Sequence, residues 1–397
     1  MDIAIVGCGV AGQTAAIALS RAGHAVTVFE RFPAARPLGA GLLLQPSGLA
    51  ALERLGLAGT AIASGAKVHR LEGKNARGRT VLDLRYADYR SGAFGLGIHR
   101  HALFDLLHAA LQAGTAKLRL GFEVADIENF DRPSLIAADA RKEGPFDLVL
   151  IAAGAHDKLR HKVSERGRDH LYPWAALWTT CVDPERKFAD ALRQTYAAAR
   201  VMIGVLPVGQ VPGAAGPHVA FFWSLKHADY EAAKTQGLRA LRGRVAGYWP
   251  EAADLLDQLA SFDALALATY RNARPRVCHR GRVLLIGDTA HATSPQLGQG
   301  ANLAIIDAVT LAHVLARESD VPRALAAYAR ARKSHNGYYQ FMSAVLTPAY
   351  QSDSPFMAWV RDAFFLPLSR LPGGRTFMQR TLTGYARMGL APWRLPD

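Results

Sequence analysis

The chain has 397 residues, of which 50% are hydrophobic and 20% are charged, with 36 Gly and 20 Pro. These proportions are typical of a globular protein and exclude a disordered chain, a collagen-like repeat and a small disulfide scaffold. The formal net charge is +14, and its spread along the chain lacks the basic tail typical of nucleic-acid binding, so we expect no nucleic-acid partner. The charge indicates a cofactor rich in phosphate or an anionic substrate, or else only a solubilising surface.

Few features of the sequence point to disulfides, metals or membranes. The three cysteines include no CxxC pair and the 14 histidines no HExxH spacing, which argues against disulfides and predicts no metal site. No run of 18 uncharged apolar residues predicts a transmembrane segment, and the apolar start lacks the basic region of a signal peptide. We therefore expect a cytoplasmic protein.

The predicted elements begin with a strand–turn–helix–strand unit typical of a parallel sheet. Two further buried strands follow much later, and the segments between them are typical of antiparallel hairpins. Beyond Gly300 the pattern is helical. In chain order, we predict strands at 2–7 and 24–30 around a helix at 10–22, short strands within 68–84, a strand at 147–154, a hairpin at 201–208 and 218–225, a strand at 282–287, helices at 302–316 and 323–335, and a Met- and aromatic-bearing tail over 338–388.

This order predicts an α/β fold in which a Rossmann-like nucleotide-binding domain with a mixed, mainly parallel sheet is interrupted by an antiparallel sheet domain. We assign residues 1–165 and 276–330 to the nucleotide-binding domain, with about 66–98 contributing strands to the other domain. The antiparallel substrate domain covers 166–275, and a helical carboxy-terminal region covers 331–397.

A GxGxxG motif lies between the first strand and the first helix, as Gly7-Cys8-Gly9-Val10-Ala11-Gly12. Its glycines permit a tight turn, a close approach of the backbone to a pyrophosphate and close packing of helix on strand. Glu30 ends the second strand, where a carboxylate accepts the hydroxyls of an adenosine ribose. The motif predicts a bound ADP moiety and leaves NAD and FAD both open.

A second motif, from Leu284 to Asn302, repeats the order strand, acid, glycine-rich turn and helix. Asp288 follows the strand and is placed to accept a polyol hydroxyl such as a flavin ribityl group. The backbone N–H groups around Gly298–Asn302 open a helix whose positive end favours the negative charge of a reduced flavin. The alternative is that Asp288 only caps a helix after a buried strand.

These motifs together resemble the FAD-dependent aromatic hydroxylases, the group that contains the p-hydroxybenzoate and salicylate hydroxylases. The resemblance covers nearly the whole chain and rests on GCGVAG with Glu30-Arg31, on Gly39-Ala-Gly41, on His99-Arg100 and on GDTAH…P…GQGAN. It implies FAD as cofactor, with NADH or NADPH as a possible electron donor. The cofactor-binding residues that it implies are Gly7, Gly9, Val10, Ala11, Gly12, Glu30, Arg31, Gly41, Arg100, Asp288, Pro295, Gly298, Gly300, Ala301 and Asn302.

Within this set, the resemblance places Arg100 near the phosphate–ribityl chain and Pro295 beside the isoalloxazine. A surface residue at the start of a helix is the alternative for Arg100.

One segment departs from the family pattern. Family members carry Gly-Ala-Asp-Gly followed by Ser and Arg, whereas this chain has Ala153 where the acid belongs, then Gly154, with Arg160 retained. The departure favours an enzyme that receives reduced flavin from a separate reductase. The alternative is that backbone geometry suffices and the acid is dispensable.

The sequence gives weaker signals for the substrate-binding residues than for the cofactor-binding residues. Phe222 and Trp223 lie on a predicted strand of the sheet domain, where alternate residues face the flavin and stack on an aromatic substrate, or else simply pack the sheet. With Pro295 they are the flavin-facing candidates, and no catalytic base is evident.

The resemblance implies a monooxygenase that hydroxylates an aromatic or electron-rich small molecule with O₂, through a flavin C4a-hydroperoxide. The alternatives are the two-component enzyme and an FAD protein of the same fold that is not an oxygenase or not a catalyst.

Overall fold

The computed structural model describes residues 1–35, 40–389 and 391–396. Its strands are β1 (Asp2–Val6), β2 (Ala25–Glu30), β3 (Gly41–Leu44), β4 (Ala66–Val68), β5 (Arg70–Asn75), β6 (Thr80–Arg85), β7 (Gly95–His99), β8 (Lys117–Leu120), β9 (Val124–Glu128), β10 (Ser134–Ala137), β11 (Lys142–Glu143), β12 (Leu148–Ile151), β13 (Gly167–Val182), β14 (Ala191–Ala197), β15 (Val201–Gly209), β16 (His218–Lys226), β17 (Ala266–Pro275), β18 (His279–Arg280) and β19 (Val283–Leu285). Its helices are α1 (Val10–Arg21), α2 (Pro46–Arg54), α3 (Ala58–Ser64), α4 (Arg100–Gln112), α5 (Arg160–Val163), α6 (Tyr230–Ala246), α7 (Pro250–Ala253), α8 (Asp288–His291), α9 (Gly300–Leu315), α10 (Val321–Tyr350), α11 (Pro355–Arg370) and α12 (Pro372–Thr383).

The first sheet has the order β18-β19-β12-β1-β2-β8 and is parallel except for β18. Its central strands are buried on both faces, which explains their continuous apolar sequences. Because they run in one direction, the carboxyl ends of β1, β2, β12 and β19 meet at one edge, where an α/β sheet binds its ligand. The predicted α/β fold class is confirmed.

The second large sheet has the order β17-β13-β16-β15-β14-β5-β6, and only β14 and β5 pair in parallel. One face packs against α6 and α7 in an apolar core that includes Phe221 and Leu241. The opposite face packs against the small sheet β3-β7-β4, where Ala220 and Leu206 meet Leu43. The sequence predicts the hairpin of β15 and β16 correctly, with β5 and β6 added from upstream.

The helices after α9 differ from the prediction. The predicted helix at 323–335 continues to Tyr350, because Tyr338, Tyr339 and Met342 bury their side chains beyond Gly337. The predicted boundary between residues 330 and 331 therefore lies inside α10. Searched over the described ranges, the helices include none that is long and apolar enough to cross a membrane.

Candidate cofactor and substrate site

The glycine loop between β1 and α1 has the geometry that its sequence predicts. Gly7 has a φ of +103°, and a Cβ there would lie 2.6 Å from the Ala152 carbonyl oxygen. A Cβ on Gly12 would lie 1.9 Å from the Gly7 carbonyl oxygen, whereas one on Gly9 would meet open space. Gly7 and Gly12 therefore permit close packing, and Gly9 leaves room for a ligand. The helix begins without a side-chain cap, so the N–H groups of its first turn, which includes Val10 and Ala11, face that space.

Glu30 lies directly beneath this loop. Its carboxylate accepts hydrogen bonds from the backbone N–H groups of Cys8 at 2.8 Å and Phe32 at 3.1 Å. Burial, with a smaller contribution from the Glu30 charge, raises the pKa of the Cys8 thiol to about 12, so Cys8 is no nucleophile at neutral pH. The neighbouring Arg31 guanidinium lies 4.6 Å from the centre of the Phe32 ring.

Asp288 opens α8 at the carboxyl end of β19. Its side chain is exposed and, within the described residues, its carboxylate has no hydrogen-bond or ion-pair partner. The Thr289 hydroxyl joins this turn to the one after β12, because it accepts from the Gly154 N–H at 3.0 Å. A free carboxylate at this edge is available to a polyol hydroxyl.

The start of α9 is held in place by Asn302, which is fully buried. Its carbonyl oxygen accepts from the Gln45 N–H at 2.8 Å, and its amide donates to the Leu43 and Gly298 carbonyl oxygens at 3.2 and 3.1 Å. Asn302 therefore ties the loop to β3 and the start of α2. The helix has no side-chain cap, and Gly300 and Gly298 are exposed, so the N–H groups around Gly300 and Ala301 are open to a ligand.

A buried ion network lies behind the turn before Asp288, and no motif in the sequence predicts it. The Asp307 carboxylate accepts from the Gly287 N–H at 2.9 Å, from His291 Nε2 at 2.6 Å and from Arg332 Nε at 2.7 Å. Burial alone would raise the pKa of Asp307, but the charges of His291 and Arg332 and these hydrogen bonds hold it well below its usual range. The apolar periodicity of α9 indicates only which positions face the core. It therefore does not show that Asp307 is buried with partners from other elements.

Arg100 and Gly41 lie at the small sheet of β3, β7 and β4, where Gly41 begins β3 and Arg100 follows β7. Arg100 opens α4 with its side chain exposed, and no described residue hydrogen-bonds or pairs with its guanidinium. A Cβ on Gly41 would lie 2.7 Å from the side chains of both Ala220 and Val208. Gly41 therefore lets the two domains pack closely, while its predicted cofactor contact stays a prediction. Gly39 lies outside the described residues.

The turn after β12 contains the departure from the family pattern. Ala153 is exposed at this edge of the sheet, next to Gly7. Arg160 is buried and donates to the carbonyl oxygens of Gly154, Ala155 and Asp157. Arg160 therefore stabilises the turn itself, and burial lowers its pKa although the charge of Asp169 opposes the change.

An aromatic cluster covers the sheet face that meets the nucleotide-binding domain. Phe222 and Trp178 have ring centres 4.8 Å apart, and Trp178 Nε1 donates to the Tyr270 hydroxyl oxygen at 3.2 Å. Tyr350 of α10 packs against the same cluster. The strand β17 that carries Tyr270 also touches the second motif, since the Ala273 N–H donates to the Ala292 carbonyl oxygen at 2.9 Å.

The prediction that Trp223 faces the flavin is wrong. Successive strand residues face opposite sides, and Trp223 packs in the core beneath α6, with Arg244 5.8 Å from the centre of its ring. Phe222 points to the nucleotide-binding side and stays a candidate. Pro295 begins a short turn, Pro295–Leu297, and is partly exposed. Tyr270 was missed because neither its strand nor its spacing distinguishes it from other β residues.

This donor and acceptor set fits FAD. Two uncapped helix starts provide N–H groups for anionic groups, and Gly9 and Gly298 leave open space where a Cβ would otherwise stand. A free guanidinium and a free carboxylate, Arg100 and Asp288, lie on the exposed surface of the same domain. Over the described ranges, no group of His, Cys, Asp or Glu side chains is arranged to hold a metal ion.

Comparisons with known proteins agree with this chemistry. A family model described as "FAD binding domain" matches residues 1–337. The chain is 30% identical over 353 residues to the 3-amino-4-hydroxybenzoate 2-monooxygenase of Streptomyces cremeus, covering 81% of this chain and 80% of that protein. It is 26% identical over 376 residues to the aurachin C monooxygenase/isomerase of Stigmatella aurantiaca, covering 93% and 94%.

The fold is similar to that of the Klebsiella pneumoniae protein HpxO, solved with FAD and uric acid. The TM-score is 0.80 at 21% identity, over 97% of each chain. The family model spans most of the chain, and the relatives include an FAD-dependent urate hydroxylase and a 3-hydroxybenzoate 6-hydroxylase. The chain therefore belongs to the FAD-binding-domain family of aromatic hydroxylases and is an FAD-dependent monooxygenase.

Proposed function

We propose that this monooxygenase inserts one oxygen atom from O₂ into a small, planar and largely apolar aromatic compound. The observation that carries the proposal is the aromatic cluster of Trp178, Phe222, Tyr270 and Tyr350, which lies on the sheet face toward the cofactor domain. Aromatic rings of this kind stack on a planar substrate. The named substrates of the relatives, such as aminohydroxybenzoate, are aromatic as well.

The charges around the cluster favour a substrate without a carboxylate. Arg361 lies 5.8 Å from the centre of the Tyr350 ring, but its guanidinium donates to the Ala198 and Ala349 carbonyl oxygens, both at 2.9 Å, and pairs with Asp362. The Arg100 guanidinium has no hydrogen bond or ion pair with the residues that the structure describes, and we assign it to the cofactor. A substrate carboxylate would then be desolvated without a partner, which is unfavourable.

Tyr270 would orient the substrate. Its oxygen accepts the Trp178 indole N–H, which leaves its own O–H to donate to a carbonyl or phenolate oxygen. Burial raises the pKa of Tyr270, and the nearby Arg100 charge only partly opposes this, so the phenol keeps its proton at neutral pH.

The bound flavin supplies the redox chemistry that activates O₂. The protein contributes by holding the cofactor at Glu30, Asp288 and the two helix starts, and by positioning the ring of the substrate. The packed aromatic side chains also exclude water from the reacting groups.

Ligand titrations of the FAD-loaded protein test this proposal. A neutral quinolone should perturb the flavin absorbance at lower concentration than hydroxybenzoate, and should be converted to a hydroxylated product when reduced flavin is supplied. Tyr270→Phe should weaken binding about 2- to 12-fold, the effect of one neutral hydrogen bond. Tyr248→Phe is the matched control, because Tyr248 lies near Trp223 on the opposite side of the sheet. Tighter binding of hydroxybenzoate, or equal effects of both variants, would contradict the proposal.

We further propose that a separate reductase supplies the electrons as reduced flavin. The support is Ala153, which is exposed and stands where the pattern of the aromatic hydroxylases that the sequence resembles has an acid. Without that acid, NADH and NADPH should reduce the bound FAD slowly even with substrate present, while reduced flavin should still support oxygenation.

Stopped-flow reduction tests this route. Ala153→Asp should accelerate reduction by about 5- to 150-fold, the range for one or two hydrogen bonds to a charged group. The control is Ala228→Asp, which adds the same charge before α6. Rapid, substrate-stimulated reduction of the unchanged protein would show a single-component enzyme.

The free state of all three cysteines supports the expected reducing, cytoplasmic compartment.

A further inference from the structure

We propose that the carboxy-terminal helices dock on the surface of an anionic lipid membrane. The contact would be made by an apolar surface on α11 and α12 and on the residue that joins them. We define this surface as Phe356, Trp359, Phe364, Leu368, Leu371 and Phe377, all of which are exposed.

The exposure of these residues is unusual in degree. Phe356, Trp359 and Phe364 are 64%, 57% and 52% exposed, and Leu371 is 59% exposed. Single exposed apolar residues are common on protein surfaces, but a contiguous group of large ones marks a contact with another molecule.

The pattern of α11 is the reverse of that expected for a helix on a protein surface. Its exposed positions are all apolar except Arg370: Pro355, Phe356, Trp359, Phe364, Pro367 and Leu368. Its buried positions include Arg361 and Ser369. Since a surface helix normally turns its apolar side to the core, packing within this chain does not account for the sequence of α11.

Three of the four aromatic rings of the surface contact one another. Phe356 stacks on Trp359 with 5.9 Å between ring centres, and Trp359 meets Phe364 edge to face at 5.5 Å. Large aromatic side chains on one side of a helix are typical of helices that lie in the interface between lipid headgroups and acyl chains.

The charge of the carboxy-terminal segment indicates which kind of molecule binds the apolar surface. Residues 355–396 contain six Arg, no Lys and a single acid, Asp362, which pairs with Arg361. Arg375 pairs with Asp88. Arg370 and Arg394 are exposed. In a symmetric contact with a second copy, the Arg370 side chains would approach each other and repel, whereas anionic lipid headgroups attract them. Charge complementarity therefore favours an anionic membrane over a homodimer.

Vesicle flotation of the FAD-loaded protein tests the proposal. The protein should float with vesicles of phosphatidylcholine mixed with phosphatidylglycerol, and much less with phosphatidylcholine alone or at high salt. Trp359→Ser combined with Phe364→Ser should lower the bound fraction about tenfold. The matched control combines Tyr248→Ser with Val277→Ser, which removes two apolar side chains of 40% and 48% exposure elsewhere.

The folded state of each variant is checked by its FAD content and near-ultraviolet circular dichroism. Equal flotation of the two double variants, or no preference for anionic vesicles, would overturn the proposal. So would a dimer in light scattering that becomes a monomer on Trp359→Ser with Phe364→Ser, because the second copy would then be the occupant.

Discussion

The substitution Asp288→Asn isolates the contribution of one carboxylate to FAD binding. Asp288 is exposed and makes no hydrogen bond or ion pair within the described residues, and its charge acts at longer range on the buried Arg160. Asparagine of nearly the same shape therefore removes no direct contact inside the protein. We therefore expect the thermal midpoint of the FAD-free protein to stay within the small range of ordinary surface substitutions.

The magnitude of the effect on FAD follows from the hydrogen bond. A bond from a hydroxyl to a charged acceptor contributes about 1.5–3 kcal/mol, and one to the neutral amide oxygen of asparagine about 0.5–1.5 kcal/mol. The difference of about 1–1.5 kcal/mol should raise the dissociation constant about 5- to 12-fold. General electrostatics predicts the opposite sign, because the FAD pyrophosphate is anionic and removing a negative charge nearby would strengthen its binding.

This difference in sign makes the control informative. Asp131→Asn removes the same charge from an exposed position between β9 and β10, and should leave FAD affinity unchanged or slightly improved. Flavin fluorescence during titration of the FAD-free proteins measures both constants. Unchanged affinity in Asp288→Asn, or an equal loss in Asp131→Asn, would refute the assignment of Asp288 to the ribityl chain.

Three further substitutions test other parts of the molecule. Glu30→Gln should weaken FAD binding by about 1–3 kcal/mol in the same titration. It should also lower the thermal midpoint, because the glutamine NH₂ group would face the backbone N–H of Cys8 or Phe32 and could not accept its hydrogen bond. Asn302→Ala should destabilise the protein by about 3 kcal/mol in urea unfolding, since it leaves the buried Gln45 N–H without an acceptor. Burial and the Arg332 charge hold the pKa of His335 well below its usual value, so the neutral form contributes stability above about pH 6.5 that is lost as the pH falls. The free energy of unfolding in urea, measured between neutral and acidic pH, should therefore depend less on pH in His335→Gln. It should keep its pH dependence in the control His227→Gln, which changes an exposed histidine.

The parts of the fold that the sequence predicts are those with strong local signals. The glycine loop, β1, α1 and β2 follow from spacing alone, because Gly7 has a positive φ, Gly12 packs closely against Gly7, and the helix start needs no distant residue. The hairpin of β15 and β16 follows from two apolar runs around a turn.

The missed features depend on residues far apart in the chain. Asp307 and Arg332 belong to different helices, and Tyr270 meets Trp178 across 92 positions. Local periodicity contains no information on such pairs. The wrong expectation for Trp223 has a related cause, since a strand that is buried on both faces shows no alternation to indicate which side faces the cofactor.

The position of Asp288 depends on buried side chains behind the turn that precedes it. The preceding Gly287 has a φ of +60°, a conformation that glycine adopts readily, and its N–H is held by Asp307. Asp307 is charged and fully buried, and Arg332 of α10 pairs with it. Removing one partner of such a pair costs about 3–5 kcal/mol, because the other charge is left buried without compensation. A chain cut at residue 330 would lose Arg332 and leave the buried Asp307 carboxylate with His291 and the Gly287 N–H as its partners. We therefore infer that α10 is needed to form the FAD site, although its own residues come after the last motif of the cofactor domain.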